Sequence, residues 1–205
     1  MSVRVGTSGW SYPSWRPGFY PAGTDPSSFL GFYAECFTTV ELNTTGYRLP
    51  AEDQFRRWAE QVPDGFEFAP KLPGDRLRGL DTFESRVREL GDRLGPIRIS
   101  LKKTRDEGAL ELLLGSLDPT LKIAVDLEHR SWDGIEPRLS EAGAVRVDDL
   151  EHPAPFRYVR RREPPDAAFA AALAAAREPV YVYFRHEDEP TAPVHASRLL
   201  ELLES

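Results

Sequence analysis

A chain of 205 residues, 40% hydrophobic and 29% charged, has the make-up of one globular domain, and no run approaches the ~18 uninterrupted apolar residues of a membrane helix. A formal net charge of -7 disfavours general nucleic-acid binding or an anionic-membrane footprint, because both partners demand a basic surface. The opening Met1-Ser2-Val3-Arg4-Val5 lacks the basic-then-apolar layout of a secretory signal and the lone Cys36 allows no disulfide framework, so the expectation is a cytoplasmic protein with a buried thiol in the run Phe32 to Phe37.

Taken in chain order, β-type runs fall at residues 3–8, 38–43, 66–71, 97–102, 121–128, 144–148, 156–160 and 179–185, with helical-period runs between them. The first helix is predicted to start at Asp25, with Pro26 at its first position and Phe29, Leu30, Tyr33 and Phe37 on one face. Phe55, Trp58, Ala59 and Val62 mark the second helix, and Asp81-Thr82-Phe83-Glu84 has capping-box spacing at the head of the third. The Ala-rich stretch 167–177 and the closing stretch 194–204 complete the helices. A βαβα order with eight strands predicts an α/β chain folded as a single (β/α)8 TIM-barrel-like domain over residues 1–205. The connection between strands six and seven is shortened to about eight residues, Asp148 to Pro155; a helical crossover needs about a dozen, and Pro153 and Pro155 oppose one.

Strand alternation divides each run into two faces. Val40 and Leu42, Phe66 and Phe68, Ile97, Ile99 and Leu101, Ile123, Val125 and Leu127, Val145 and Val147, and Val180, Val182 and Phe184 are expected under the helices. The opposite set includes Glu41, Glu67, Arg98, Asp126 and Arg146, which would face the barrel axis and must pair there, since isolated buried charge is prohibitive. Catalytic residues of barrels gather at the C-terminal strand ends, here Ser8, Asn43, Lys71, Lys102, Glu128, Asp148, Arg160 and Arg185. Four cations against two anions at such a mouth suit a small anionic ligand carrying phosphate or carboxylate, unless the rim neutralises itself.

Several of these strand ends also carry a resemblance. Gly6-Thr7-Ser8-Gly9-Trp10-Ser11-Tyr12, Val40-Glu41-Leu42-Asn43-Thr44-Thr45-Gly46-Tyr47, Phe66-Glu67-Phe68-Ala69-Pro70-Lys71, His129 with Ser131-Trp132, and Tyr181-Val182-Tyr183-Phe184 resemble, in order and spacing, the signatures of the YecE-like family, the "domain of unknown function 72" group. The resemblance implies a (β/α)8 fold without an established substrate. This chain looks shortened and divergent, with Lys102-Lys103 where the family shows Pro-Pro, Glu128 where it shows Arg, Arg162 within a replaced Arg-Leu-His-Gly element, and Arg185-His186 in place of Asn-Asn. Fold does not give function.

Within the chemistry this pattern permits, Glu41, Lys71 and Asp126 form the candidate catalytic set, a partly buried carboxylate beside a lysine serving as an acid/base pair. Trp10, Asn43, Tyr47, His129, Trp132, Asp148, Arg160, Tyr183 and Arg185 are the binding candidates, the aromatics as walls for a ring or sugar. The histidines, 129, 152, 186 and 195, lack zinc spacing, and neither a P-loop nor a Gly-x-Ser-x-Gly element occurs, so no metal ligand or cofactor is assigned. One alternative is a divalent-metal hydrolase or isomerase using Glu41, Asp126, Asp148 and His129. The other is a non-catalytic scaffold presenting Arg157, Arg160, Arg161 and Arg162 to an acidic partner.

Overall fold

Val3, Val5 and Thr7 alternate with Arg4, Gly6 and Ser8, and β-branched side chains on one side of an extended backbone suit a strand packed under helices. In the computed structural model, which describes residues 3–73, 78–185 and 190–205, they form β1 (Val3–Ser8). The other strands are β2 (Thr39–Leu42), β3 (Glu67–Pro73), β4 (Ile97–Leu101), β5 (Ile123–Leu127), β6 (Ala144–Arg146), β7 (Arg157–Arg161) and β8 (Val180–Phe184). Each lies within two residues of its expected bounds. All pair in parallel, in the order β6-β5-β4-β3-β2-β1-β8-β7. Helices α1 (Phe29–Cys36), α2 (Glu52–Glu60), α3 (Leu80–Arg88), α4 (Glu107–Gly115), α5 (Glu136–Glu141), α6 (Ala167–Ala174) and α7 (Thr191–Leu203) alternate with the strands except between β6 and β7. This is the expected TIM-barrel-like fold. No helix among the described residues is long and apolar enough to cross a membrane.

The helix-facing layer is one continuous core in which Val40, Leu42, Ile97, Ile123, Val125, Val180, Val182 and Phe184 meet Tyr33, Phe55, Phe83, Leu110, Leu139, Leu173 and Leu199 from successive helices. A separate inner cluster fills the barrel's waist with Ala69, Ala124, Val145, Val147, Phe156, Tyr158, Tyr181 and Tyr183. Gly6 is required at this level, because a Cβ there would stand 1.9 Å from the Thr39 carbonyl oxygen.

The barrel closes at the β6–β7 seam without a ladder. Asp148 leaves the strand with φ 65°, its amide donates to the Tyr158 carbonyl at 2.9 Å, and its carboxylate Oδ1 accepts the Arg160 amide at 2.6 Å. A side-chain oxygen thus stands where a strand carbonyl would be. The connection from 147 to 156 carries no helix, as its two prolines predict.

Three expectations are corrected. In β6 the facing is inverted: Val145 pairs with Ala124, parallel partners share a face, and the small Ala69 and Ala124 leave interior volume that Val145 and Val147 occupy. Arg146 points outward instead and pairs with Glu136 at the head of α5 and with Asp133. Helix α3 begins earlier than expected, behind Gly79 at φ 89°, so Asp81 lies in its first turn and makes no capping bond. Cys36 is exposed rather than buried, because the inward stripe of α1 runs through Phe29, Leu30, Tyr33 and Ala34 toward Phe37 and leaves the helix's last residue at its edge. His186 lies outside the described residues.

Candidate functional site

Charged side chains on the inner face stack in two tiers. Near the strand starts, Glu67 meets Arg4 at 2.9 Å, Lys122 at 3.7 Å and the Tyr181 hydroxyl at 2.8 Å, which seals the bottom of the barrel. Above the waist, Glu41 on β2 is 0% exposed. Its Oε1 lies 2.7 Å from Arg98 Nε and 2.9 Å from Arg160 Nε and accepts the Tyr158 hydroxyl at 2.8 Å; Oε2 accepts Ser8 Oγ at 2.5 Å and Arg160 Nη2 at 3.0 Å. Arg98, 2% exposed, donates onward to Asp126 Oδ2 at 2.5 Å and to Asn43 Oδ1 at 3.0 Å, and Arg160 reaches the same Asp126 oxygen at 3.2 Å.

The result is a closed square of two arginines and two carboxylates. Burial by itself would raise the Glu41 carboxyl, but the Arg98 and Arg160 charges and the Ser8 and Tyr158 hydrogen bonds outweigh it and hold the group at about 2. Glu41 is therefore ionised throughout the physiological range and anchors the arginines. Burial and the Glu41 charge keep the Tyr158 phenol well above its usual range, so it stays a neutral donor.

Over this square opens a cavity of about 220 Å3 at the C-terminal strand ends. Ser8, Asn43 and Tyr47 line one side, Lys71, Ser100, Lys102 and Glu128 another, and Arg160, Arg162 and Arg185 a third, with Arg98 at the floor. Glu128 is the one carboxylate among these lining residues, and it lies 3.4 Å from Lys102. Arg185 has no ion-pair partner among the described residues, and burial with the repulsion of Arg160 and Arg162 pulls its guanidinium below the ordinary range.

The candidates separate accordingly. Glu41 and Asp126 lie beneath the cavity in one network with Asn43, joined through Arg98, and Asn43, Tyr47, Lys71, Arg160 and Arg185 reach the cavity itself. Asp148 supports Arg160 from the seam. Trp10 packs edge-on against Trp58 at 5.2 Å and borders a neighbouring groove that shares Asn43 and Tyr47 with the mouth. His129 accepts the Ser131 amide as a cap and Tyr183 lies in the waist bonded to Thr39, and neither lines the mouth; Trp132, 2% exposed with its indole donating to the Lys103 carbonyl, borders an adjoining cavity of about 790 Å3 that shares Lys71, Ser100 and Lys102 with it. The arginine run is split by the strand: Arg160 points inward, whereas Arg157 pairs with Glu178 and Arg161 lies 4.3 Å over Phe169. No group of three His, Cys, Asp or Glu side chains among the described residues could hold a metal ion.

A family model described as "Protein of unknown function DUF72" matches residues 4–205. The chain belongs to the DUF72 family. The UPF0759 protein YecE of Escherichia coli K12 is 33% identical over 140 residues, which is 62% of this chain and 48% of YecE; the chain spans about half the length of the curated relatives it matches. Among solved structures, a DUF72 family protein from Thermotoga maritima superposes with a TM-score of 0.81 at 23% identity, covering 100% of both chains. Another, from Enterococcus faecalis, gives 0.81 at 15% identity over 99% of this chain and 96% of its own. These two show the shared fold.

Sequence reading placed Arg98 with the structural ion pairs and did not single out Tyr158. Both belong to the centre of this DUF72 site, and the signal was the inward register: Arg98 pairs with Lys71, and Tyr158 lies two residues before Arg160 on the same face.

Proposed function

We propose that the mouth of this DUF72 barrel binds a small anionic ligand through a phosphate or carboxylate group, with Arg160, Arg185 and Lys71 as its principal contacts. The observation that carries this reading is the charge inventory of the cavity. Glu41 and Asp126 already neutralise Arg98 and Arg160, and Glu128, the one carboxylate among the lining residues, pairs with Lys102, which leaves Lys71 and Arg185 at the mouth without an ion-pair partner among the described residues. Cations gathered in a recess repel one another, and an anion that bridges them gains charge-assisted hydrogen bonds while relieving that repulsion. Glu41 and Asp126 then act as positioning residues that aim the arginines, and Lys71 is the group placed to react.

A thermal-shift series with phosphate, phosphonates and small carboxylates tests it. A ligand at a hundredfold excess over Kd stabilises by about 2.7 kcal/mol, which is about 5–10 °C for a chain of this size. Arg185→Ala should abolish most of that shift and leave the unliganded melting point within a few degrees, because one like-charge repulsion is also removed. An undiminished shift in the variant, or no shift with any anion, overturns the reading.

A further inference from the structure

Arg98, Arg160 and Lys102 all have carboxylate partners; Lys71, at the same mouth, has none among the described residues. It is nevertheless held in place. Its amide donates to Thr45 Oγ1 at 2.9 Å and its carbonyl accepts the same hydroxyl at 2.8 Å. Its methylene stem lies against Gly46, where a Cβ would come within 2.8 Å of Lys71 Cδ, and its ammonium sits 5.2 Å from the centroid of the Tyr47 ring. Any larger residue at 46 would displace the stem, so glycine at this position and the lysine conformation belong together. Tyr47 is itself 79% exposed.

A half-buried amine without a counter-ion, facing other cations across a cavity, is an activated nucleophile. We propose that Lys71 captures the carbonyl carbon of an anion-bearing oxo compound, a 2-oxo acid being the smallest example, while Arg160 and Arg185 hold the carboxylate. This assignment rests on the anion-binding reading of the mouth. The neutral Nζ attacks the carbonyl carbon to form a C–N bond; the carbonyl oxygen departs as water with both amine protons, and taking up one proton from solvent converts the imine to the iminium. Desolvation first, then the charges of Arg98, Arg160 and Lys102, pull the Lys71 ammonium below the usual lysine range against the opposing pull of Glu41, which raises the fraction of reactive amine near neutral pH.

The chain has four lysines, 71, 102, 103 and 122, so the site of capture can be read directly. The test incubates the protein with pyruvate or glyoxylate in the presence of sodium borohydride, which reduces an imine to a stable secondary amine, and locates the added mass by peptide mass spectrometry. The expected result is one reduced ligand predominantly on Lys71, lost in Lys71→Arg, retained in Lys122→Arg, and suppressed by excess lactate, which carries the anion but no carbonyl. Melting curves with pyruvate and lactate separate the two readings. If both stabilise the protein but label is absent from Lys71 or spread evenly over the four lysines, carbonyl capture is wrong and anion binding stands. If neither stabilises and Lys71 is unlabelled, both fall.

Discussion

Glu41 carries the most demanding balance at the residue scale. Two guanidinium groups, a hydroxyl and a phenol converge on one carboxylate with no exposure, so removing its charge leaves Arg98 and Arg160 buried beside Asp126 alone. Breaking a buried pair from one side typically destabilises by about 3–5 kcal/mol. Glu41→Gln is expected to lose that much in urea denaturation at pH 7, whereas Ser8→Ala, which removes one hydrogen bond to the carboxylate, should lose about 2 kcal/mol. The pH dependence has a definite sign. The folded-state value is depressed to about 2 from an ordinary 4.5, so the stabilisation is complete above the unfolded value and fades as pH falls through the folded one. The gap between parent and Glu41→Gln should therefore be widest above pH about 4.5 and shrink toward pH about 2. A gap that stays constant across this range would show that the charge is not what the arginines require.

Among the elements, the β6–β7 seam is the departure from a regular barrel. Asp148 combines a left-handed backbone with a carboxylate that accepts the next strand's amide, and Asn can do both. Asp148→Asn should stay within about 0.5 kcal/mol of the parent, while Asp148→Val, β-branched at positive φ and without an acceptor, should lose about 2–3 kcal/mol in chemical denaturation. Equal stability of the two variants would remove Asp148 from the closure. The seam also marks how far the sequence could be read. The Ile-Ala-Val-Asp-Leu of β5 assigns both faces, since Asp126 must lie inside a polar interior if Ile123 and Val125 pack under helices. Val145-Arg146-Val147 offers two acceptable facings, and the choice depends on cross-strand volume at Ala69 and Ala124, which no single strand reveals. Glu41, Asp126 and Arg160 were legible as inward residues at strand ends. The role of Arg98 as their hub was not, because it arises from the register of β3, β4 and β5 rather than from a linear motif.

At the scale of the whole molecule, an acidic chain holds a cationic recess. The net charge of -7 opposes anion approach at long range, so the anion binding proposed above would rely on short-range contacts inside the mouth, where burial weakens screening. Strand alternation separates two neighbouring arginines: Arg161 lies outside the barrel over Phe169, and Arg185 lines the cavity. Isothermal titration of the parent, Arg185→Ala and Arg161→Ala with inorganic phosphate and with pyruvate tests the claim most directly. One site per chain is expected for at least one of these anions, weakened about tenfold or more by Arg185→Ala, as loss of a charge-assisted hydrogen bond implies, and left unchanged by Arg161→Ala. Equal weakening by both variants, or no heat of binding with either anion, would contradict it.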